Sequence, residues 1–102
     1  MTEQSPTFES LQIQLRQFVS ERDWAAFHTP RNIALALVGE VGEVCQLLRW
    51  LPDASPAPPG TESELADVLI FLIHLADACE INIVAAAQSR LDDNRLRFPF
   101  IE

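Results

Sequence analysis

The chain has 102 residues, fifteen acids against seven bases, and a formal charge of −8; every base is an arginine. That length fits one domain, residues 1 to 102, and the charge excludes nucleic acid polymers as partners, because their affinity rests on basic residues that neutralise phosphates. A small phosphorylated ligand is still compatible with this charge if a metal ion such as magnesium bridges its oxygens to carboxylates.

Residues 1 to 6 are polar and expected to fray, and they carry none of the charged and apolar regions of a signal peptide. No apolar run approaches the roughly 20 residues that span a bilayer, so the sequence predicts a cytoplasmic protein with no membrane contact. Thr7 is a candidate N-cap with Glu9 in the first turn. Phe8, Leu11, Leu15, Phe18 and Val19 then follow helical spacing to about Glu21. The segment from Arg22 to His28 is too aromatic for an ordinary solvent loop. Trp24 and Phe27 can plug the end of a bundle or form a stacking pocket for a nucleobase, and His28 can satisfy a backbone group or read a base edge. Thr29 and Pro30 begin a second helix as N-cap and N1, expected to run to about Leu51, before Pro52.

Glu40 and Glu43 lie inside this otherwise apolar helix, three residues apart and therefore on one face, with Cβ atoms about 5–6 Å from each other. Their neighbours, Ile33 to Val38 and Val44 to Leu48, offer no cation. Gly39 and Gly42 flank them although each costs roughly 1 kcal/mol in a helix relative to alanine. They either let a ligand or backbone come close or relieve helix packing. Four prolines and Gly60 make residues 52 to 60 a connector. Thr61-Glu62-Ser63-Glu64 fits a capping box, which competes for Glu64 with a second acidic pair, Glu64 and Asp67. The repeated spacing favours a four-carboxylate site for a divalent metal. The third helix is expected to end at Ala78 or Cys79, with His74 as a core or subunit contact. Asn82 caps a fourth, Ile83 to about Arg97, whose polar side of Arg90, Asp93, Asn94 and Arg97 is either solvated or a clamp for phosphates. Cys45 and Cys79 are expected to be reduced core thiols.

The four periodic segments and the absence of strand-like alternation predict an all-α, four-helix bundle-like fold. Two central helices apolar almost all round need surrounding, which predicts a homo-oligomer.

With these residues in place, the sequence resembles the all-α nucleoside triphosphate pyrophosphatases, the MazG-like family, whose mark is ExxE on one helix and ExxD on the next. Glu40-x-x-Glu43 and Glu64-x-x-Asp67 match it. The run from Glu21 to Asn32, the run from Leu35 to Glu43, Trp50, Leu65 to Ile70, and Asp93-Asn94-Arg95 are similar to the dCTP-hydrolysing branch. The resemblance implies a MazG fold assembled as a dimer or dimer of dimers, up to a homotetramer. It implies hydrolysis of a small-molecule deoxynucleoside triphosphate, dCTP or a 5-modified dCTP, to monophosphate and pyrophosphate as nucleotide house-cleaning. Mg²⁺ would be held by Glu40, Glu43, Glu64 and Asp67, with the Glu40/Glu43 pair positioning the attacking water. Trp24, His28 and Trp50 would line the base and sugar pocket, Phe71 would approach the nucleotide, and Arg90, Asn94 and Arg95 the phosphates. The chain departs from that branch at Leu15 and Phe71, where the branch carries histidine and tyrosine, and this keeps a dATP preference open. The rivals are a phosphoribosyl-ATP pyrophosphohydrolase, which the aromatic segment argues against, and a non-catalytic helical dimerisation module.

Overall fold

In the computed structural model, which describes residues 5–101, the polypeptide forms four α-helices: α1 Phe8–Glu21, α2 Pro30–Leu48, α3 Thr61–Ala78 and α4 Ile83–Arg97. No strand occurs among the described residues. The fraying expected for residues 1 to 6 falls, for residues 1 to 4, outside them.

Three helix starts follow from local hydrogen bonding. Thr7 Oγ1 accepts from Ser10 N at 3.1 Å, and Ser10 Oγ accepts in return from Thr7 N at 3.1 Å, a reciprocal box. Thr29 Oγ1 accepts from Asn32 N at 3.2 Å, with Pro30 in the first turn. Asn82 Oδ1 accepts from Ala85 N at 3.1 Å.

The start of α3 departs from the expected capping box. Its cap is Gly60, in the left-handed conformation at φ 93°, and the cap makes no side-chain hydrogen bond. Thr61 is thus already helical, its hydroxyl donates to Pro58 O at 2.7 Å, and Glu64 N donates to Gly60 O at 3.1 Å. Glu64 is therefore one position too far along to reach back to the cap, and its carboxylate is free for other work.

Helix α2 also ends three residues sooner than expected, at Leu48. Leu51 N donates to Leu48 O at 2.9 Å, a tighter closing turn. Pro52 pushes Leu51 out of the helical region, and a turn at residues 49 and 50 leads into it.

The main packing is α2 against α3, with α1 laid on α3. Ile33 of α2 and Ile73 and Ala76 of α3 are the buried apolar residues. Burial of an isoleucine side chain stabilises by about 1.5–3 kcal/mol, so this seam is the centre of the fold. The described residues contain a small interior for so apolar a chain. Helix α4 turns away from α3 at 99° and buries no residue, so within one chain it does not complete a four-helix core. The radius of gyration is 16.9 Å, well above the roughly 13 Å of a compact chain this long.

The two cysteines differ from expectation. Both thiols are free, but both residues are exposed. Cys45 lies on the uncovered side of α2, and Cys79 caps the C-terminus of α3, so neither belongs to a core. Among the described residues no single helix is long and apolar enough to cross a membrane.

Candidate metal centre and adjoining pocket

The apolar seam sets the register that brings the acidic pairs together. His28, just before α2, meets His74 in the second half of α3, with ring centroids 4.8 Å apart. Glu40 and Glu43, further along α2, meet Glu64 near the start of α3. The two helices therefore run antiparallel, with a carboxylate end and a histidine end.

At the carboxylate end, one oxygen from each of Glu40, Glu43 and Glu64 lies within 4.8 Å of the others. Glu40 and Glu64 are half-buried and Glu43 is exposed. The half-buried Asp67 lies outside this tight triad but close enough for its charge to raise the pKa of both Glu40 and Glu64. For Glu40 the main cause of the rise is burial, followed by the charges of Glu43 and Asp67 and a hydrogen bond with Glu43. For Glu64 the first cause is a hydrogen bond shared with Glu43, then burial, then the charges of Glu43, Asp67 and Glu40.

Oε2 of Glu40 and Oε2 of Glu64 are both buried without a hydrogen-bond partner. Ion pairs among the described residues join Arg16 to Asp77, Arg22 to Glu21 and Arg95 to Asp92, and none reaches the four carboxylates. Buried polar atoms are as a rule satisfied, and like charges this close favour protonation or a cation. An all-oxygen set of carboxylates suits a hard divalent cation such as Mg²⁺. The two orphaned oxygens fit that occupant.

Gly39 and Gly42 beside this cluster have open space around them: a Cβ added at either would meet nothing within 4 Å. Relief of packing within the chain therefore does not explain them.

At the histidine end, residues 25 to 27 form a single 3₁₀ turn. Trp24 sets its edge on Phe18 at 5.6 Å and stacks towards His28 at 6.5 Å. Trp24 and Phe27 are 44% and 68% exposed, so the segment does not plug a core. Phe71 is half-buried and meets His74 edge to face at 5.9 Å. His74 is buried, as expected of a core position, but it also lines a cavity of about 330 Å³ with His28, Arg16, Asp77 and Ala25. The position of His74 two turns beyond Asp67 on one face of α3 is legible in the spacing, whereas the cavity beside it is not.

The remaining predicted residues are not gathered here. Trp50 is 81% exposed in the connector, with the Arg49 guanidinium 5.4 Å from its ring. Arg90 and Arg95 are exposed on α4, Asn94 is half-buried, and Arg95 pairs with Asp92 of its own helix at 3.2 Å. Since α4 points away from the α2–α3 pair, one chain does not bring these three to the carboxylates.

No family model matches the chain. The chain is 44% identical to human dCTP pyrophosphatase 1 over 92% of its own length, and equally so to the rat protein. It spans 60% of the length of these curated relatives. The crystal structure of a pyrophosphatase from Archaeoglobus fulgidus matches with a TM-score of 0.83 and 31% identity, covering 98% of this chain and 99% of that one.

Proposed function

Since the chain belongs to the all-α nucleoside triphosphate pyrophosphatases, the MazG-like family, we propose that it hydrolyses a deoxynucleoside triphosphate, dCTP or a 5-modified dCTP, to the monophosphate and pyrophosphate. The observation that carries this reading is the convergence of Glu40, Glu43 and Glu64 within 4.8 Å, with buried, unpartnered oxygens on Glu40 and Glu64. The names of the relatives, dCTP pyrophosphatase and pyrophosphatase, support the substrate and product.

Glu40, Glu43, Glu64 and Asp67 are the residues that would hold Mg²⁺. When bound, it supplies neutralisation of phosphate charge and a lowered pKa for water. The Glu40/Glu43 pair orients a water for attack on the α-phosphorus. One of these carboxylates takes the proton as the new P–O bond forms, and the bond from the α-phosphorus to the bridging oxygen breaks to release pyrophosphate. The aromatic Trp24 and the neighbouring His28 hold the nucleobase at the far end of the α2–α3 pair.

Exposed apolar side chains support a homo-oligomer, dimer or dimer of dimers. Leu65, Leu69 and Leu72 line one side of α3, and Leu35 and Val38 lie exposed on α2. A second copy covering these stripes would also give Arg90, Asn94 and Arg95 of α4 a route to a neighbouring site.

The deciding experiment incubates the protein with Mg²⁺ and each deoxynucleoside triphosphate, measuring pyrophosphate and orthophosphate separately. Pyrophosphate in equal amount to monophosphate is expected. Orthophosphate as the sole product would identify a phosphatase and refute the reading.

A further inference from the structure

His74 is the buried ionisable residue that the hydrolytic chemistry leaves unused. It is 9% exposed, and it lines the cavity of about 330 Å³ between α1, the 3₁₀ turn and α3, a volume in the range of small-ligand pockets. Its ring meets His28 edge to face at 4.8 Å and Phe71 at 5.9 Å. Among the described residues neither imidazole makes a side-chain hydrogen bond, and no His74 nitrogen is both buried and unpartnered. The His74 ring nitrogens are therefore without a partner in the protein and free to take one from a ligand.

The cavity wall beside His74 includes one acceptor held in place, the Asp77 carboxylate. Asp77, one turn on from His74, receives Arg16 Nε at 3.0 Å and Arg16 Nη2 at 2.9 Å, a two-pronged pair that fixes the carboxylate to α1. Each oxygen keeps a second lone pair. Burial, followed by the charge of His28, lowers the pKa of His74, with Asp77 partly opposing, so the imidazole is neutral near pH 7 and carries one donor and one acceptor nitrogen.

Position along the helix links this wall to the carboxylates. Asp67, Phe71 and His74 follow i, i+4, i+7 spacing on one face of α3, so His74 stands about 10 Å along the axis from Asp67. That is the span from a reacting phosphate to the edge of its own nucleobase.

We propose that His74, backed by the Arg16–Asp77 pair, is a specificity-determining residue that selects a nucleobase bearing an exocyclic amino group beside a ring nitrogen, cytosine or adenine, over its keto counterpart. The inference rests on the nucleotide reading of the site. The base amino group donates to the free lone pairs of the Asp77 carboxylate, and the imidazole N–H donates to the ring nitrogen. A keto base puts a second acceptor against the Asp77 carboxylate, which leaves polar groups unpaired.

The test compares dCTP with dUTP and dATP with dITP, pairs that exchange amino for keto at one ring position, for the unmodified protein, His74→Ala and His74→Gln. The unmodified protein is expected to favour the amino member of at least one pair by roughly tenfold or more in kcat/KM. His74→Ala should bring that ratio close to one, while His74→Gln, which keeps a donor and an acceptor, restores part of it. Equal losses for both members of each pair would assign His74 a structural role and overturn the proposal. A second measurement uses the unmodified protein and does not depend on turnover: imidazole ¹H–¹⁵N spectra titrated with dCMP, dUMP, dAMP and dIMP. Shifts at His74 with an amino nucleotide and not with its keto partner support selection at this residue even if no triphosphate is hydrolysed, an outcome that would sink the hydrolytic reading alone. No nucleotide-dependent shift at His74 overturns the proposal even if hydrolysis proceeds.

Discussion

The two ends of the α2–α3 pair handle charge in opposite ways. At the histidine end Asp77 is answered by Arg16 at 2.9 Å, and His74 loses its charge through burial. At the other end three carboxylates crowd within 4.8 Å with no arginine in reach and two oxygens left without partners. The same small fold thus provides a settled polar pocket and an unsettled one. The lesson is that crowded carboxylates with buried, unpartnered oxygens leave room for a cation, whereas a carboxylate already paired with an arginine does not.

The contrast breaks most sharply at Glu43. Glu43→Gln should lower kcat by roughly 10²–10⁴-fold, the range spanned by a proton-transferring side chain, while circular dichroism stays that of the unmodified protein. Retention of full turnover would refute the role assigned to the acidic end. A cation should next bring the two ends to equal footing. At Mg²⁺ about tenfold above its dissociation constant, native-state binding stabilises by about 1.4 kcal/mol, which for a chain this long raises Tm by roughly 6–11 °C. Glu64→Gln should remove most of that rise, so thermal melts with and without EDTA decide the point.

Acid should drive the ends apart. Glu40 and Glu64 have raised native pKa values, so the native state binds protons more readily than the unfolded chain. Their contribution to stability is full below the ordinary carboxylate range and fades as pH rises through the raised values. His74 has a lowered native pKa, so its contribution is full above about 6.5, the ordinary histidine value, and fades as pH falls towards the lowered one. Metal-free protein should therefore melt higher on acidification through the upper carboxylate range once Glu40 and Glu64 are considered alone, and lower through the histidine range. Glu40→Gln with Glu64→Gln should leave only the second trend, and melts from pH 4 to 8 in EDTA would separate them.

The smallest effect belongs to the matched pair. Arg16→Ala should change Tm by no more than about 8 °C, since an ion pair with a solvent-exposed arginine contributes little. A larger drop would mean that α1 is held on α3 chiefly by this contact.

How much of this could be read from the residues depended on the range of the forces involved. Thr7, Thr29 and Asn82 act on backbone groups three residues away, so their helices begin where the pattern predicts. Helical spacing likewise placed Glu40 with Glu43 and Glu64 with Asp67. The capping box at Thr61 misleads because Gly60 takes the cap position by adopting a left-handed conformation, and no side-chain pattern announces that torsion. The exposure of Cys45 and Cys79 and the outward course of α4 depend on what packs against each helix, and periodicity is silent on the identity of the neighbour. His74, amid Leu72, Ile73 and Leu75, has the sequence context of a core residue and is buried as that context predicts, but the same context is silent on the cavity that adjoins it.

The left-handed turn at Gly60 also determines how the preceding loop can vary. Because the torsion at Gly60 and the bonds from Thr61 to Pro58 O set where α3 begins to wind, segment 52–57 can gain or lose residues and Glu64 will still emerge at the same azimuth. An insertion on the other side of Gly60 is a different matter: a single extra residue before Glu64 turns the helix by about 100° and would swing Glu64 and Asp67 away from Glu40 and Glu43. Length changes are therefore tolerated upstream of Pro58 and ruinous immediately downstream of Gly60.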